Sequence, residues 1–216
     1  MARSTLIGIG GFPDEAMFEY VLAHARGRNV LVDRTASPVG TDELGLPGEL
    51  SYLSFYPWPP ADLRDQAFAA DVILVCGGNT ANMLAVWRIH GFDGILREAW
   101  EAGVVLAGWS AGMICWFEAG VTDSFGPQLE GMHDGLGFLP GSGCPHYDGE
   151  ERRRPVYTEL VANGFPAGIA LDDAAGARYA GTELVEVVVS APDAHGYRVG
   201  PDGEVPLPVR LLTATA

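Results

Sequence analysis

Short apolar runs punctuate the first half of the chain, at residues 5–9, 29–32, 51–55, 71–75 and 104–107, each flanked by turn residues. Between them, apolar positions recur at helical spacing over 14–26, 80–89 and 94–102. Strands that alternate with helices predict a mainly parallel sheet, and strands buried on both faces should read as unbroken apolar runs, as these do. Residues 136–139 and 168–171 read as further strands. After residue 180 the pattern changes. Residues 184–189 and 197–199, separated by a loop holding Pro192, Asp193 and Gly196, predict an antiparallel C-terminal β-hairpin, with 205–212 as a last strand. No internal repeat, low-complexity tract or linker interrupts this order, so residues 1–216 are expected to form one domain.

The pattern becomes chemical at Gly108-Trp109-Ser110-Ala111-Gly112, which lies between the apolar run 104–107 and a helix-compatible stretch, 113–117. A strand turning sharply into a helix around a G-x-S-x-G holds its serine in a strained backbone conformation with the hydroxyl above the sheet. The helix N-terminus that follows offers free N–H groups to an oxyanion. By itself the motif also fits a turn that happens to contain serine; its strand-turn-helix setting favours a nucleophile.

Ligands of open parallel sheets bind beyond the carboxyl ends of the strands. After the first strand, Gly8-Ile9-Gly10-Gly11-Phe12-Pro13 has proline where the third glycine of a dinucleotide fingerprint belongs, so a tight turn into a helix near Pro13 is the better reading. After the fourth, Cys76-Gly77-Gly78-Asn79-Thr80 allows close backbone approach to a substrate, with Asn79 or Thr80 as helix cap and backbone N–H groups available to an oxyanion.

A serine nucleophile needs a base. His24 and His90 fall in helical patterns and His195 in the distal turn. His146, in Cys144-Pro145-His146-Tyr147-Asp148, is the preferred base, and His133 in its glycine-rich turn the weaker candidate. For the orienting carboxylate, Asp172 and Asp173 stand at a strand end, while Asp123 follows the helix after the elbow.

Composition then excludes several classes. The formal charge of −15 makes nucleic acid an improbable partner. All 13 basic residues are arginines, so Schiff-base and Ser-Lys chemistry are excluded. Three cysteines, Cys76, Cys115 and Cys144, are odd in number and lack CxxC spacing, which indicates neither a disulfide framework nor a zinc site; buried reduced thiols are expected. No apolar stretch approaches the roughly 20 residues of a membrane span, and the first apolar run is too brief for a signal-peptide core, so the expected location is the cytoplasm.

The segments Gly77-Gly78-Asn79-Thr80, Gly108-Trp109-Ser110-Ala111-Gly112, Pro145-His146-Tyr147 and Ile169-Ala170-Leu171-Asp172-Asp173, in that order, resemble peptidase family S51, which holds the aspartyl dipeptidase peptidase E and the cyanophycinases. The resemblance covers roughly residues 70 to 180. It implies a three-layer α/β sandwich with a mainly parallel sheet, like class I glutamine amidotransferases (flavodoxin-like). It further implies Ser110 as nucleophile, His146 as base, and an oxyanion hole from the N–H groups of Gly78 and Ala111. The family's acid is usually glutamate, and the matching position is Asp173; being one methylene shorter, it leaves Asp172 and Asp123 as alternatives. A cofactor-free and metal-free serine exopeptidase acting on short peptides, with a preference for N-terminal aspartate, is the implied function. A cyanophycinase-like isopeptidase and a non-catalytic binding protein are the rivals. Asn79 and Asp123 are candidate substrate contacts. Arg152, Arg153 and Arg154 are expected in the loop after His146, with Pro155 opening a helix over 156–163, where a guanidinium could grip a substrate carboxylate; internal pairing with Glu150 and Glu151 is the competing reading. A homodimer is left open.

Overall fold

In the computed structural model, which describes residues 4–37 and 44–213, the early apolar runs become β1 (Thr5–Ile9), β2 (Asn29–Asp33), β3 (Glu49–Leu53), β4 (Val72–Val75) and β5 (Val105–Trp109). They run parallel in the order β1-β5-β4-β2-β3. Every residue of β4 and β5 is buried, which is why these strands carry no polar alternation. The helices are α1 (Glu15–Leu22), α2 (Leu63–Ala69), α3 (Thr80–His90), α4 (Phe92–Glu101), α5 (Ala111–Ile114) and α6 (Arg153–Ala162). Asp14 caps α1 by accepting the Met17 N–H, and Asn79 caps α3 by accepting the Asn82 N–H. Gly91, left-handed at φ 67°, ends α3 and starts α4.

The remaining strands are β6 (Phe117–Thr122), β7 (Glu130–Met132), β8 (Leu139–Cys144), β9 (Gly168–Leu171), β10 (Ala175–Ala180), β11 (Glu183–Val189), β12 (Gly196–Gly200), β13 (Gly203–Pro206) and β14 (Val209–Leu211). They divide between two sheets. β10, β11 and β14 extend the main sheet beyond β1 to eight strands, and β13-β12-β9-β8-β6-β7 form a second sheet of six. On one face of the main sheet, α1 buries Phe18 and Val21 against Ile7, Ile9, Val32 and Leu74. On the other, Leu6 and Leu106 share a core with Trp87 of α3, Leu96 of α4, and Phe117, Leu139 and Ile169 of the second sheet. The outer face of the second sheet packs Val121, Ala170 and Val199 against Tyr157 and Val161 of α6.

The α/β class and the parallel order agree with the sequence reading, but several local expectations do not. Residues 184–189 and 197–199 do not pair with each other. β11 pairs with β10 across Gly181, and β12 forms the C-terminal hairpin with β13. The single last strand over 205–212 is two, because Pro206 and Pro208 interrupt the ladder and send β13 and β14 to different sheets. The strand expected at 136–139 begins only at Leu139. The helix after the elbow lasts four residues, and Phe117 already belongs to β6, so Asp123 follows a strand rather than a helix.

Candidate active site

The carboxyl ends of β1, β4 and β5 bring the elbow together with two glycine turns. Ser110 has φ 55° and ψ −116°, a region that non-glycine residues avoid. The chain is forced there by close packing: a Cβ on Gly108 would collide with the Gly112 carbonyl, and one on Gly112 with the carbonyl of Val75 in β4. The Ser110 carbonyl accepts the N–H groups of Met113 and Ile114 at 2.9 and 3.0 Å, which starts α5 in the next residue. Its own N–H donates to Ile9 O at 3.3 Å, fixing the serine beside the end of β1.

On the other flank of β1, Gly11 N–H donates to Asp173 O and Gly10 N–H to Ala175 O, both at 2.9 Å. The segment carrying Asp173 therefore lies one strand from the serine. His146 Nδ1 stands 2.5 Å from Asp173 Oδ1. His146 is half-buried and has φ 54°; Ser110 and His146 are the two non-glycine residues with positive φ among the described residues. The Tyr147 N–H on Leu171 O at 3.1 Å ties the histidine segment to the end of β9, and Asp148 Oδ1 accepts the Asp173 N–H at 2.8 Å. Gly11 and Gly149 leave room for the Asp173 carboxylate, since a Cβ on either would overlap it.

Asp172, the neighbouring alternative, points elsewhere. It is buried, accepts the His195 N–H at 2.7 Å, and stands 3.6 Å from the His195 ring; burial raises its pKa, against the effect of that backbone hydrogen bond. His133 packs edge-on against Phe165, His90 stacks on Phe55, and His24 faces the carbonyl of Tyr20. Asp123 is exposed at the end of β6. All three cysteines are buried and unpaired; burial pushes Cys76 and Cys144 up to about 12, which keeps them protonated thiols rather than rival nucleophiles.

Gly78 has φ 137° and packs against the Ala36 carbonyl, where a Cβ would collide. Its N–H, like that of Ala111 at the first position of α5, has no backbone acceptor among the described residues. Asn79 is engaged at both ends of its side chain, Oδ1 by the cap of α3 and Nδ2 by the carbonyl of Ser124 at 2.9 Å, which anchors the glycine turn.

The arginine expectation needs correction. Pro155 is the third residue of α6, where its missing N–H is one the helix could not have bonded anyway, so the helix starts earlier and carries Arg153 and Arg154. Arg153 is buried, donating to Glu150 at 2.7 Å and to Val121 O at 2.8 Å; it holds α6 to β6 and is closed to substrate. Arg154 pairs with Glu204 and lies over the rings of Tyr147 and Tyr197. Arg152, exposed at the helix N-cap, pairs with no carboxylate among the described residues. Sequence reasoning also missed Asp148, Gly149 and Gly11, whose service to Asp173 is visible only in space.

A serine elbow at the carboxyl end of β5 in a mostly parallel sheet, facing a histidine–carboxylate pair that follows β8 and β9 of the second sheet, places the chain among flavodoxin-like α/β proteins that build their site at strand ends. A model of peptidase family S51 matches residues 40–187. The chain is 50% identical over 167 residues to a Bacillus subtilis (strain 168) protein named "Uncharacterized peptidase YgaJ", covering 75% of this chain and 72% of that one. Two solved structures share the fold. A peptidase from an acI-B1 Actinobacterium superposes with a TM-score of 0.66 at 17% identity, over 96% of this chain and 95% of that one. A candidate peptidase E from Listeria monocytogenes EGD-e gives 0.63 at 19% identity, over 85% and 98%. The chain belongs to peptidase family S51, and it is a peptidase.

Proposed function

We propose that the chain is a serine exopeptidase of short peptides in which Ser110, His146 and Asp173 act as one unit. The observation that carries this is the shared backbone strain of Ser110 and His146, with His146 held by Asp173 at 2.5 Å. Strain of this kind persists only where surrounding structure imposes it. With Nδ1–H donating to Asp173, the imidazole keeps Nε2 unprotonated and free to act as base. Ser110 Oγ attacks the scissile carbonyl as His146 Nε2 takes its proton. Negative charge on the former carbonyl oxygen is met by the N–H groups of Gly78 and Ala111. The tetrahedral intermediate collapses, His146 returns the proton to the leaving amine, and an acyl-serine remains. Water, deprotonated by His146, attacks that ester; the peptide acid departs and Ser110 regains its proton. Preference for aspartate on the acyl side has Arg152 as its remaining cationic support.

Ser110→Ala tests the reading. Alanine is smaller than serine, so the variant should fold with an unchanged circular dichroism spectrum and lose at least about a thousandfold in dipeptide hydrolysis. A fluorophosphonate should modify the wild type at Ser110. Activity near the wild-type level in Ser110→Ala would remove the serine from the mechanism.

A further inference from the structure

Asp33 closes β2, is fully buried, and has no place in the chemistry just described. Its Oδ1 accepts the Thr35 backbone N–H at 2.7 Å and the Thr35 hydroxyl at 2.5 Å. Oδ2 accepts the indole N–H of Trp87 at 2.7 Å. All three bonds are donated to the carboxylate, two by Thr35 and one by Trp87, which suits an ionised group. Burial raises its pKa to about 6, against the opposing effect of these bonds, so the acid is still charged at neutral pH.

What the two oxygens hold matters more than the charge. On the Oδ1 side is the turn 34–37, closed by the Ser37 N–H on Arg34 O at 2.9 Å. Within that turn Ala36 O accepts the Asn79 N–H at 2.8 Å and occupies the space where Gly78 would carry a Cβ. On the Oδ2 side is Trp87, in the helix α3 that begins directly after Asn79. The Gly78-Asn79 segment is thus held between two supports, and one carboxylate grips both.

We infer that Asp33 is a positioning residue, which aims the Gly78 N–H at the developing oxyanion by locking the 34–37 turn to α3. The inference rests on the reading of Gly78 as an oxyanion donor. An amide at this position would keep an acceptor for one support, but its NH2 would face a donor at the other, so Asp33→Asn should let the Gly78 turn shift against α3. Misalignment of a donor used only in the transition state lowers kcat and leaves KM nearly unchanged.

The experiment compares steady-state hydrolysis of a dipeptide panel by wild type, Asp33→Asn, Thr35→Val, Thr35→Ser and Ser142→Ala. Thr35→Val removes one donor at nearly constant volume and covers the case in which Asp33→Asn does not fold. Thr35→Ser keeps both donors. Ser142→Ala removes a buried hydroxyl bonded to Tyr157 and Pro166 O in the second sheet, and controls for lost stability alone. Losing one oxyanion donor outright costs about 10²–10³-fold in kcat. A misaimed one should therefore reduce kcat by about 10–100-fold in Asp33→Asn and several-fold in Thr35→Val, with KM within about threefold. Thr35→Ser and Ser142→Ala should keep kcat within about twofold. If Asp33→Asn and Thr35→Val lose thermal stability but keep wild-type kcat, or if Ser142→Ala loses kcat equally, Asp33 is structural only and the inference fails alone. If the wild type neither hydrolyses any peptide nor reacts with a fluorophosphonate at Ser110, the serine-peptidase reading falls and takes the inference with it.

Discussion

At the scale of the residue, two adjacent aspartates illustrate how environment assigns roles that composition cannot. Asp173 bonds the His146 ring, while Asp172 is turned to the backbone of His195. Asp173→Asn should lower turnover by roughly two to four orders of magnitude with the fold intact, because the amide favours the wrong imidazole tautomer. Asp172→Asn should be milder in kcat, its bond being to structure rather than to the base. Comparing kcat for the two variants checks this, and a larger loss at Asp172 would reassign the acid. Asp33 gives a second residue-scale expectation, in stability rather than rate. Its pKa is about 6 in the folded chain against an ordinary 3.8. Between those values the folded state binds the proton more tightly than the unfolded state does, so this group's contribution to stability is full below about pH 4 and is lost as pH rises through 6. The difference of roughly 2 units corresponds to about 3 kcal/mol. Urea titrations from pH 4 to 7 should show this decline in the wild type and a flatter profile in Asp33→Asn; parallel profiles would assign the titration to another group.

At the scale of the element, α6 shows where sequence reading stops. Pro155 reads as the first residue of a helix over 156–163, but the helix begins two residues before the proline, because its first turn leaves N–H groups unbonded in any case. Nothing local marks Arg153 as buried; its partners, Val121 O and Glu150, are supplied by the packing of α6 on β6. The arginine expectation now narrows to one side chain. Arg152→Ala should reduce kcat/KM selectively for peptides beginning with aspartate, by about ten- to a hundredfold if it makes a charge-assisted bond. Arg154→Ala should lower thermal stability and act on all substrates alike, since it severs the contact with Glu204. Assaying aspartyl against alanyl dipeptides separates these outcomes, and an Arg152→Ala enzyme with unchanged selectivity would remove Arg152 from the proposed substrate site. The elbow was the most legible element of all. Its glycines are needed for backbone clearance against β4, and that requirement is written into the pentapeptide itself.

At the scale of the whole molecule, the parallel half of the main sheet was readable because strands buried on both faces must be apolar throughout. The second sheet was legible only in pieces: the runs at 168–171 and 197–199 are its β9 and β12. β8 includes Pro140, Gly141 and Gly143, β7 spans three residues, and β6 carries Gly120, so neither alternation nor an apolar run announces these three. The packing of Phe117 and Leu139 into the shared core reveals why β6 and β8 are strands. The net charge of −15 would repel an acidic peptide at long range, but salt screens that field beyond about 8 Å, so contacts at the site must decide selectivity. A further consequence lies in the step from β13 to β14. These two short strands cover the outermost β12 of one sheet and β11 of the other, with Leu207 and its flanking prolines between them. One nine-residue segment, Gly203–Leu211, thereby shields two otherwise open hydrogen-bonding rims from other chains. A nick by an endoprotease in the turn at Asp202–Gly203, even with Ser110, His146 and Asp173 untouched, would loosen the cover of both rims at once and offer them to pairing with other chains.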